Sequence, residues 1–372
     1  MLLRALARVN LAAVERNCAR LKHALGGGAE LGVVVKADGY GHGAVPVARA
    51  ALAGGASWLC VATADEAAEL AGAALGARVL VMGAVSADEL PVALDSGADL
   101  VAWREAFVEE LRAAGAAGTR VHVKLDSGMG RLGTRDAAEA DRVADLVAGE
   151  RRLELAGAMT HFATADDDPE FLAAQLAAFT PWARALRERH PGIAVHAANS
   201  AATLREPAAH FDFVRCGIAV YGMDPFHEDP ANRDLEPALE LSSYVAEVKK
   251  AEPGQSAGYG RRFVAEHSTC LATLPIGYGD GVRRALTNNC DVLIGGGRHP
   301  LVGTVSMDNV TVDLGPDTDV RPGARALFIG NDGEERQTAE QLAARMGTIN
   351  YEITCGLSSR VPRAYHRDGE PA

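Results

Sequence analysis

The chain has 372 residues, 48% of them hydrophobic and 23% charged, values typical of a globular protein and not of a disordered or fibrous one. Its 37 basic and 49 acidic residues give a formal net charge of −12 with no basic run, which disfavours nucleic acid and anionic membranes as partners. No apolar stretch approaches the roughly 20 residues of a spanning helix. Arg4, Arg8 and Asn10 interrupt the start of the chain before a signal-peptide core could form, so we expect a cytoplasmic protein.

The cysteines show neither a C-x-x-C pair nor a regular spacing, and they therefore indicate neither a metal site nor a disulfide framework. We expect reduced, mostly buried thiols and no bound metal. The residues concerned are Cys18, Cys60, Cys216, Cys270, Cys290 and Cys355.

Short apolar runs alternate with alanine-rich helical segments over the first two thirds of the chain, beginning with a helix over 11–22 that Asn10 can cap. The strand candidates are 33–36, 58–62, 78–82, 99–103, 120–125, 155–160, 194–197 and 213–215. The helical segments between them include 64–71, 86–94, 104–114, 136–148 and 169–189. This order indicates a parallel sheet, and eight strands within about 250 residues favour a (β/α)₈ barrel over an open doubly wound sheet.

The pattern changes near residues 229–237 to alternating stretches separated by Gly, Pro and Asp turns, which predicts a mostly β domain with one short helix over 339–346. The stretches are 239–248, 270–274, 291–294, 299–305, 310–314 and 326–329. We expect three parts: residues 1–9 packing with the C-terminal domain, a barrel over 10–232 and a β domain over 233–372.

The most informative residue is Lys36, because an apolar strand meets a glycine-rich loop there in the segment VVKADGYGHG, residues 34–43. The glycines permit the close backbone approach that a small ligand requires. Burial beside the strand would favour the free amine, which forms Schiff bases or accepts protons. The alternative is a lysine that ends a strand and points to solvent, the usual case for lysine. The glycines and Tyr40 argue against that alternative.

Several other polar residues follow predicted strands, at the barrel rim where active sites lie. They are residues 126–131, Thr160 and His161, residues 196–200 and residues 215–218. Ser200, Gly217 and Ile218 follow strands seven and eight, where such barrels often bind phosphate. A lysine facing a phosphate site suggests pyridoxal phosphate, but a Schiff-base aldolase would use the same parts.

Four ordered segments resemble motifs of the alanine racemase family, and the resemblance extends over nearly the whole chain. They are KADGYGHG at 36–43, PIGYGDG at 275–281, SMD at 306–308 and NYE at 350–352. The chain departs from the commonest family pattern at Gly279, which replaces alanine, and at Phe263, which follows two arginines. Both positions lie outside the proton-transferring atoms that the resemblance implies.

The resemblance implies that Lys36 holds pyridoxal 5′-phosphate as a Schiff base and acts as base on one face of the substrate Cα. Tyr259 would be the opposing base, contributed by the second subunit of a homodimer with shared active sites. Because tyrosine has a reference pKa near 10, it needs a neighbour to act at neutral pH, and His161 resembles that neighbour. The alternative for His161 is an ordinary core histidine.

Arg215 resembles the family's partner to the pyridine nitrogen, and a guanidinium there would leave the nitrogen unprotonated. The substrate carbanion would then be delocalised less fully into the ring, which favours its return to Cα over transamination or decarboxylation. A phosphate contact or a structural ion pair is the alternative for Arg215. Arg131 resembles the arginine beside the cofactor's phenolic oxygen and the substrate carboxylate. Lys124 matches a position that some members carbamylate, although it could equally be an ordinary lysine.

The remaining site residues are also implied by the resemblance. The cofactor would contact Tyr40, Asn199, Ser200, Gly217, Ile218 and Tyr351. Met307 would bind the substrate with Arg131, and Met307 and Asp308 would come across the dimer interface. The entrance would be narrowed by Tyr278, Tyr351 and Asp308.

The implied function is racemisation of alanine, which supplies D-alanine for peptidoglycan. One methylene changes discrimination by only about 1–3 kcal/mol, so serine or another small amino acid stays open as a substrate. A non-catalytic pyridoxal phosphate carrier would resemble the first half alone, and the C-terminal half argues against it. A decarboxylase of the same plan would place an acidic residue at the pyridine nitrogen, and Arg215 argues against that.

Overall fold

The computed structural model describes residues 3–26 and 28–372, which divide into two compact units. One unit is Val14–Val220. The other joins Tyr221–Ala372 to the N-terminal residues up to Ala13. Among the described residues, no helix has the length and hydropathy that a bilayer crossing requires.

The first unit is built on eight parallel strands, of which the first seven pair in chain order and the first also pairs with the eighth. The strands are Glu30–Val34, Trp58–Val61, Arg78–Val81, Asp99–Ala102, Thr119–Lys124, Leu153–Met159, Ala194–His196 and Phe213–Cys216. Two backbone hydrogen bonds join the seventh strand region to the eighth, from Asp212 N to Val195 O (3.0 Å) and from Arg215 N to Ala198 O (2.8 Å). The ring is therefore nearly closed, and the predicted (β/α)₈ barrel is confirmed.

Helices alternate with these strands, and several begin at residues whose side chains accept a backbone N–H, as N-caps do. Thr63 and Glu66 form a capping box, and Asp136, Asp168 and Asn199 each cap a later helix. The predicted contact from Asn10 is present, because its Oδ1 accepts a hydrogen bond from Ala12 N (3.2 Å). The helices are Leu11–Ala24, Ala44–Ala53, Ala64–Gly72, Leu90–Asp95, Glu105–Ala113, Ala137–Gly149, Pro169–Arg189 and Ser200–Arg205.

The second unit is mostly β, as the alternating pattern predicts, and contains the helices Ala339–Met346 and Asn350–Cys355. Its strands are Leu6–Asn10, Leu239–Tyr244, Glu247–Ala251, Ser256–Ala257, Phe263–Val264, Thr269–Leu274, Asp291–Ile294, Gly297–Val302, Val310–Asp313, Arg325–Asp332, Glu335–Gln337, Arg363–Arg367 and Glu370–Pro371. The strand Leu6–Asn10 pairs antiparallel with Leu239–Tyr244 and parallel with Arg363–Arg367.

The stretch predicted as one strand over 239–248 is two strands. Leu239–Tyr244 pairs with Arg325–Asp332, whereas Glu247–Ala251 pairs with Thr269–Leu274. The chain therefore leaves one ladder for another, a change that hydrophobic alternation alone does not register. All six cysteines are free thiols, buried except for Cys355.

Candidate active site

Lys36 lies two residues after the first barrel strand and opens an unusual turn. Every residue from 37 to 41 has a positive φ, between 52° and 82°. This left-handed conformation costs on the order of 1–2 kcal/mol for each residue that has a side chain. Gly39 and Gly41 relieve part of that cost, whereas Ala37, Asp38 and Tyr40 adopt the conformation in spite of it. The segment expected to be a glycine-rich loop is therefore a left-handed helical turn.

Two carboxylates hold this turn in place. Glu66 Oε1 accepts a hydrogen bond from Ala37 N (2.7 Å), and Asp38 Oδ1 accepts one from Ala44 N (3.0 Å). Glu66 also caps the helix that follows the second barrel strand, so the turn is tied to the scaffold rather than to solvent. Strain that the surrounding structure enforces in this way is typical of functional sites.

Hydroxyl and backbone N–H groups meet at one corner of the barrel rim. Ser200 Oγ accepts a hydrogen bond from Gly217 N (2.9 Å), which leaves the Ser200 proton to be donated to a ligand. A Cβ added to Gly217 would lie 2.5 Å from the hydroxyl oxygen of Tyr40, so only glycine permits this approach. Ile218 begins the short 3₁₀ segment that follows. Donors concentrated in this way suit the oxygens of a phosphate group.

Asn199 has a structural part in this corner. Its side-chain oxygen accepts a hydrogen bond from Ala202 N (2.9 Å) and so caps the short helix Ser200–Arg205. The cap fixes the orientation of the residue that follows it. Asn199 therefore supports Ser200.

Arg215 is only 2% exposed, and its two terminal nitrogens donate to four acceptors in the barrel. Nη1 donates to His196 Nδ1 (2.8 Å). Nη2 has two protons and three acceptors, the carbonyls of Thr160 (2.8 Å) and Ala197 (2.9 Å) and His161 Nδ1 (3.2 Å), so one of its protons is shared. Burial lowers the pKa of Arg215 to about 10, which still leaves a cation at neutral pH. Its Nε is buried without a hydrogen-bond partner. A buried unsatisfied donor is costly, so a ligand atom that accepts from Nε fits this position.

His161 accepts a hydrogen bond at Nδ1, because a guanidinium can only donate. Burial, followed by the charges of Arg215, Lys124 and Arg131, holds the pKa of His161 well below its usual value. The imidazole is therefore neutral and carries its proton on Nε2. The same three cations, with Lys36, concentrate positive charge at the rim of a chain whose net charge is −12.

Lys124, the last residue of the fifth barrel strand, is buried. Burial, with the charges of Arg215 and Arg131, lowers the pKa of Lys124 to about 8. The loop that carries Arg131 is organised by Asp126, whose carboxylate accepts hydrogen bonds from Gly128 N and Gly130 N. This arrangement places the exposed Arg131 on a fixed loop above the barrel strands.

In the second unit, Tyr259 is 75% exposed at the tip of a tight turn. The flanking Gly258 and Gly260 both have φ of 71°, and the Tyr259 carbonyl accepts a hydrogen bond from Thr304 Oγ1 (2.6 Å). The turn is thus anchored through its backbone, while the described residues of the chain leave most of the Tyr259 side chain exposed.

Tyr278 and Met307 belong to two segments that are joined by backbone hydrogen bonds. Tyr278 N donates to Ser306 O (2.9 Å), and Gly279 N donates to Met307 O (2.9 Å). Both side chains are exposed, at 41% and 51%. Tyr351 lies in the helix Asn350–Cys355 of the same unit, with its ring 6.4 Å from that of His227.

Sequence reasoning missed the ion pairs that hold Asp308. The fully buried Asp280 accepts two hydrogen bonds from Arg4 (2.6 and 2.9 Å), and Arg360 donates to Asp308 (2.5 Å). Arg360 also lies 3.5 Å from Asp280. Asp280 falls within the family motif PIGYGDG, so the sequence could have marked it as a site residue. Arg4 and Arg360 lie in no motif, so nothing in the sequence indicated their ion pairs. Two buried barrel residues, Asp99 and His122, were missed as well.

The geometry defines a class of protein: a two-unit barrel enzyme whose rim presents a lysine, a buried arginine and a corner suited to phosphate. Two family models match the chain, "Alanine racemase, N-terminal domain" over residues 9–225 and "Alanine racemase, C-terminal domain" over residues 238–365. The chain belongs to the alanine racemase family and is an isomerase by that membership.

Individual relatives agree with this assignment. An alanine racemase of Thermobifida fusca is 41% identical over 96% of this chain and 97% of its own length, and one of Listeria monocytogenes is 38% identical over 96% of both. The crystal structure of alanine racemase from Bacillus anthracis with bound L-Ala-P superposes with a TM-score of 0.93 at 36% identity, covering 100% of this chain and 97% of its own. The crystal structure of alanine racemase from D-cycloserine-producing Streptomyces lavendulae superposes with a TM-score of 0.92 at 36% identity, covering 98% of each chain.

Proposed function

We propose that this protein interconverts L-alanine and D-alanine using pyridoxal 5′-phosphate bound to Lys36. The observation that carries the proposal is the unpartnered Nε–H of buried Arg215 on the rim that also presents Lys36 and the Ser200–Gly217 corner. The pyridine nitrogen of this cofactor accepts one hydrogen bond, and its phosphate accepts several. The residues present therefore fit the group that the family uses.

The cofactor, when bound, withdraws electrons from the substrate Cα and so acidifies the Cα–H bond. Lys36 would hold it covalently, while Tyr40, Ser200, Gly217, Ile218 and Tyr351 would bind its phosphate and Asn199 would support Ser200. Donation from Arg215 Nε would leave the ring nitrogen without a proton, since a guanidinium does not give one up. This limits the electron-withdrawing power of the ring, which favours proton exchange over transamination or decarboxylation.

Two bases of different chemistry would act on opposite faces of Cα. Lys36 Nζ would take or return the proton on one face, and the Tyr259 hydroxyl would do so on the other. His161 carries its proton on Nε2, so it can donate to the Tyr259 oxygen and stabilise the phenolate. A neutral imidazole stabilises the phenolate by this hydrogen bond, whereas an imidazolium would be an acid that could protonate it.

The active unit would be a homodimer in which Tyr259 serves the site of the partner subunit. The support is the exposure of Tyr259 at 75%, since a group that moves protons to and from Cα must be shielded from bulk water. Met307 and Asp308 would cross the same interface. In a two-fold symmetric dimer, each Tyr259 would be covered by the barrel of the partner subunit.

The substrate carboxylate would lie between Arg131 and Met307. Arg131 offers a planar fork that matches carboxylate geometry. A carbamate on Lys124 would turn a buried cation into an anion able to orient Arg131, and the pKa of about 8 makes the free amine available for that reaction. Tyr278, Tyr351 and Asp308 would narrow the entrance so that a methyl side chain is preferred. The product would serve peptidoglycan synthesis, and the cytoplasmic location stays a prediction.

Incubation with single enantiomers tests the proposal. Purified protein, loaded with pyridoxal 5′-phosphate, is given L-alanine, D-alanine or L-serine in separate reactions, and optical rotation is followed to equilibrium. We expect both alanine reactions to reach the racemate and serine to react more slowly. Retention of rotation with both alanine enantiomers, in protein that shows the visible absorbance of bound cofactor, would overturn the proposed function.

A further inference from the structure

A continuous chain of hydrogen-bonded side chains runs through the barrel interior to Arg215. Asp99 Oδ2 lies 3.1 Å from His122 Nε2, His122 Nδ1 lies 2.9 Å from His196 Nε2, and His196 Nδ1 lies 2.8 Å from Arg215 Nη1. Asp99, His122 and His196 are completely buried. We refer to these three residues as the imidazole chain.

The direction of every proton in the imidazole chain follows from its two ends. Arg215 can only donate, so His196 Nδ1 accepts and the proton of His196 is on Nε2. His196 then donates to His122 Nδ1, which places the proton of His122 on its own Nε2. That proton points to the carboxylate of Asp99, which accepts it. A second proton on either imidazole would set two N–H groups against each other.

The surroundings favour the same neutral state. Burial lowers the pKa of both imidazoles, and the nearby charge of Arg215 lowers them further. The charges that face the chain are Arg78 and Arg120, each 2.6 Å from Asp99, together with Lys124 near His196. Asp99 is the acidic group that acts on His122, at the end of the imidazole chain remote from Arg215.

The barrel is shaped to hold these two rings. Gly157 lies opposite His122 on the neighbouring strand, and a Cβ there would come within 2.1 Å of His122 Nδ1. Phe213 stacks on His196 with ring centroids 4.1 Å apart, and Trp58 stacks on Phe213 with ring centroids 4.5 Å apart. The imidazoles are therefore held in one orientation by packing as well as by hydrogen bonds.

We propose that the imidazole chain positions Arg215 for its work at the barrel rim, acting as a set of positioning residues anchored on Asp99. A carboxylate in direct contact with Arg215 would cancel its charge, whereas a neutral imidazole fixes the guanidinium and leaves that charge for the ligand. Once Nη1 is fixed, Nη2 sets the tautomer of His161, and Nε, which has no partner in the barrel, is left for the ligand. This inference rests on the role proposed above for Arg215.

The first test uses the cofactor-free protein and needs no substitution. In protein labelled with ¹⁵N-histidine, we expect two imidazoles with slowly exchanging Nε2–H protons that do not titrate across the reference pKa near 6.5. Nδ1–H tautomers, or titration of either ring near that value, would overturn the inference. This measurement is independent of activity, so it separates the failure of the imidazole chain from the failure of the proposed function.

The second test asks whether the imidazole chain governs Arg215 in the loaded enzyme. His122→Leu breaks the chain, while His122→Gln keeps a group that can accept from His196 and donate to Asp99. The readout is the ratio of pyruvate released, with the cofactor converted to pyridoxamine phosphate, to alanine racemised. We expect His122→Leu to raise this ratio about tenfold, the effect of losing one hydrogen bond to a charged group, and His122→Gln to restore most of the difference.

His210→Leu is the matched control. His210 is a buried histidine of the same unit that bonds to Thr203 O (2.9 Å) and Gly26 N (3.3 Å), outside the imidazole chain. We expect it to lower thermal stability without changing the ratio. An equal ratio in wild type, His122→Leu and His210→Leu would overturn the positioning role even if racemisation is intact. If the leucine variants do not fold, the ¹⁵N-histidine spectra of the wild-type protein test the inference by themselves, through the tautomers of His122 and His196.

Discussion

The two units of the molecule present their site residues in opposite ways. In the barrel, Arg215, His161 and Lys124 are held below or at the rim, and hydrogen bonds within the unit fix the first two. In the β unit, Tyr259 and Met307 project from turns with more than half of their surface exposed. The barrel therefore prepares a site by itself, whereas the β unit offers groups that become useful only when another surface covers them.

The difference has a physical origin. A buried polar group must be hydrogen-bonded, so the barrel side chains hold one another in a single arrangement. An exposed side chain is under no such constraint, and the β unit fixes only the backbone beneath it, through Thr304 at Tyr259 and through the paired segments at Tyr278. We therefore expect substitutions in the barrel and in the β unit to have different effects.

The largest effect is expected at Lys36, where the barrel would lose its covalent bond to the cofactor. Lys36→Ala should abolish the visible absorbance of the bound cofactor and lower kcat at least about 10²- to 10⁴-fold, the usual contribution of a general base. Absorbance spectra and racemisation assays measure the two effects. Lys249→Ala, at an exposed lysine of the β unit, is the control and should change neither. Intact absorbance in Lys36→Ala would remove Lys36 from its role.

Tyr259→Phe tests the β unit in isolation from the barrel. It should leave cofactor absorbance unchanged and lower kcat about 10²- to 10⁴-fold, because only the base on one face of Cα is lost. Exchange of the Cα proton with deuterated solvent should fail preferentially for one enantiomer. Equal loss of exchange from L- and D-alanine would contradict the assignment of two bases to two faces.

Mixing the two inactive variants tests whether the barrel of one subunit works with the β unit of another. When Lys36→Ala and Tyr259→Phe subunits associate at random in equal amounts, half of the dimers are mixed and each has one intact site. Activity should then return to about a quarter of the wild-type value. Confirmed mixed dimers without activity would count against a shared site.

A smaller effect is expected at Lys124, whose pKa of about 8 lies below the ordinary lysine value of 10.5. Because only the neutral amine reacts with carbon dioxide, and its share grows as pH rises through the pKa, carbamate should increase between pH 7 and 9. NMR with ¹³C-bicarbonate measures it, and Lys124→Arg should remove the signal while Lys249→Arg keeps it. A spectrum that lacks a signal dependent on Lys124 at every pH would refute the carbamate.

The smallest effect is expected at Gly279, beside the entrance. A Cβ there would lie 2.4 Å from Arg360 Nη1 and 3.1 Å from Met307 O, so Gly279→Ala should displace Arg360 from Asp308. The ion pair is half exposed, so we expect a loss of at most about 1 kcal/mol of stability and a severalfold rise in KM with kcat nearly unchanged. Thermal unfolding and steady-state kinetics measure these effects. Gly149→Ala, where nothing lies within 4 Å, is the control, and equal behaviour of both variants would contradict the entrance role.

Much of the fold could be predicted from the sequence because buried parallel strands are continuous apolar runs, and all eight were found within a few residues of their bounds. The helix Ala44–Ala53 was missed because a glycine-rich segment precedes it and hides its start. The left-handed turn over 37–41 was missed for a different reason. Its non-glycine residues adopt positive φ only because Glu66 and Asp38 hold the backbone there.

The alternation that makes the barrel, the change to β structure in the last third and the motifs that mark the family are all legible in the amino-acid order. The meeting of polar groups is legible only in the folded chain: neutral His196 accepts a hydrogen bond from Arg215, Asp99 accepts one from His122, and Asp308 accepts one from Arg360. These partners lie 19, 23 and 52 residues apart in the chain. The periodicity of hydrophobic residues indicates which residues share a face of one strand or helix. Which side chains become hydrogen-bond partners inside a barrel depends instead on how the strands pair.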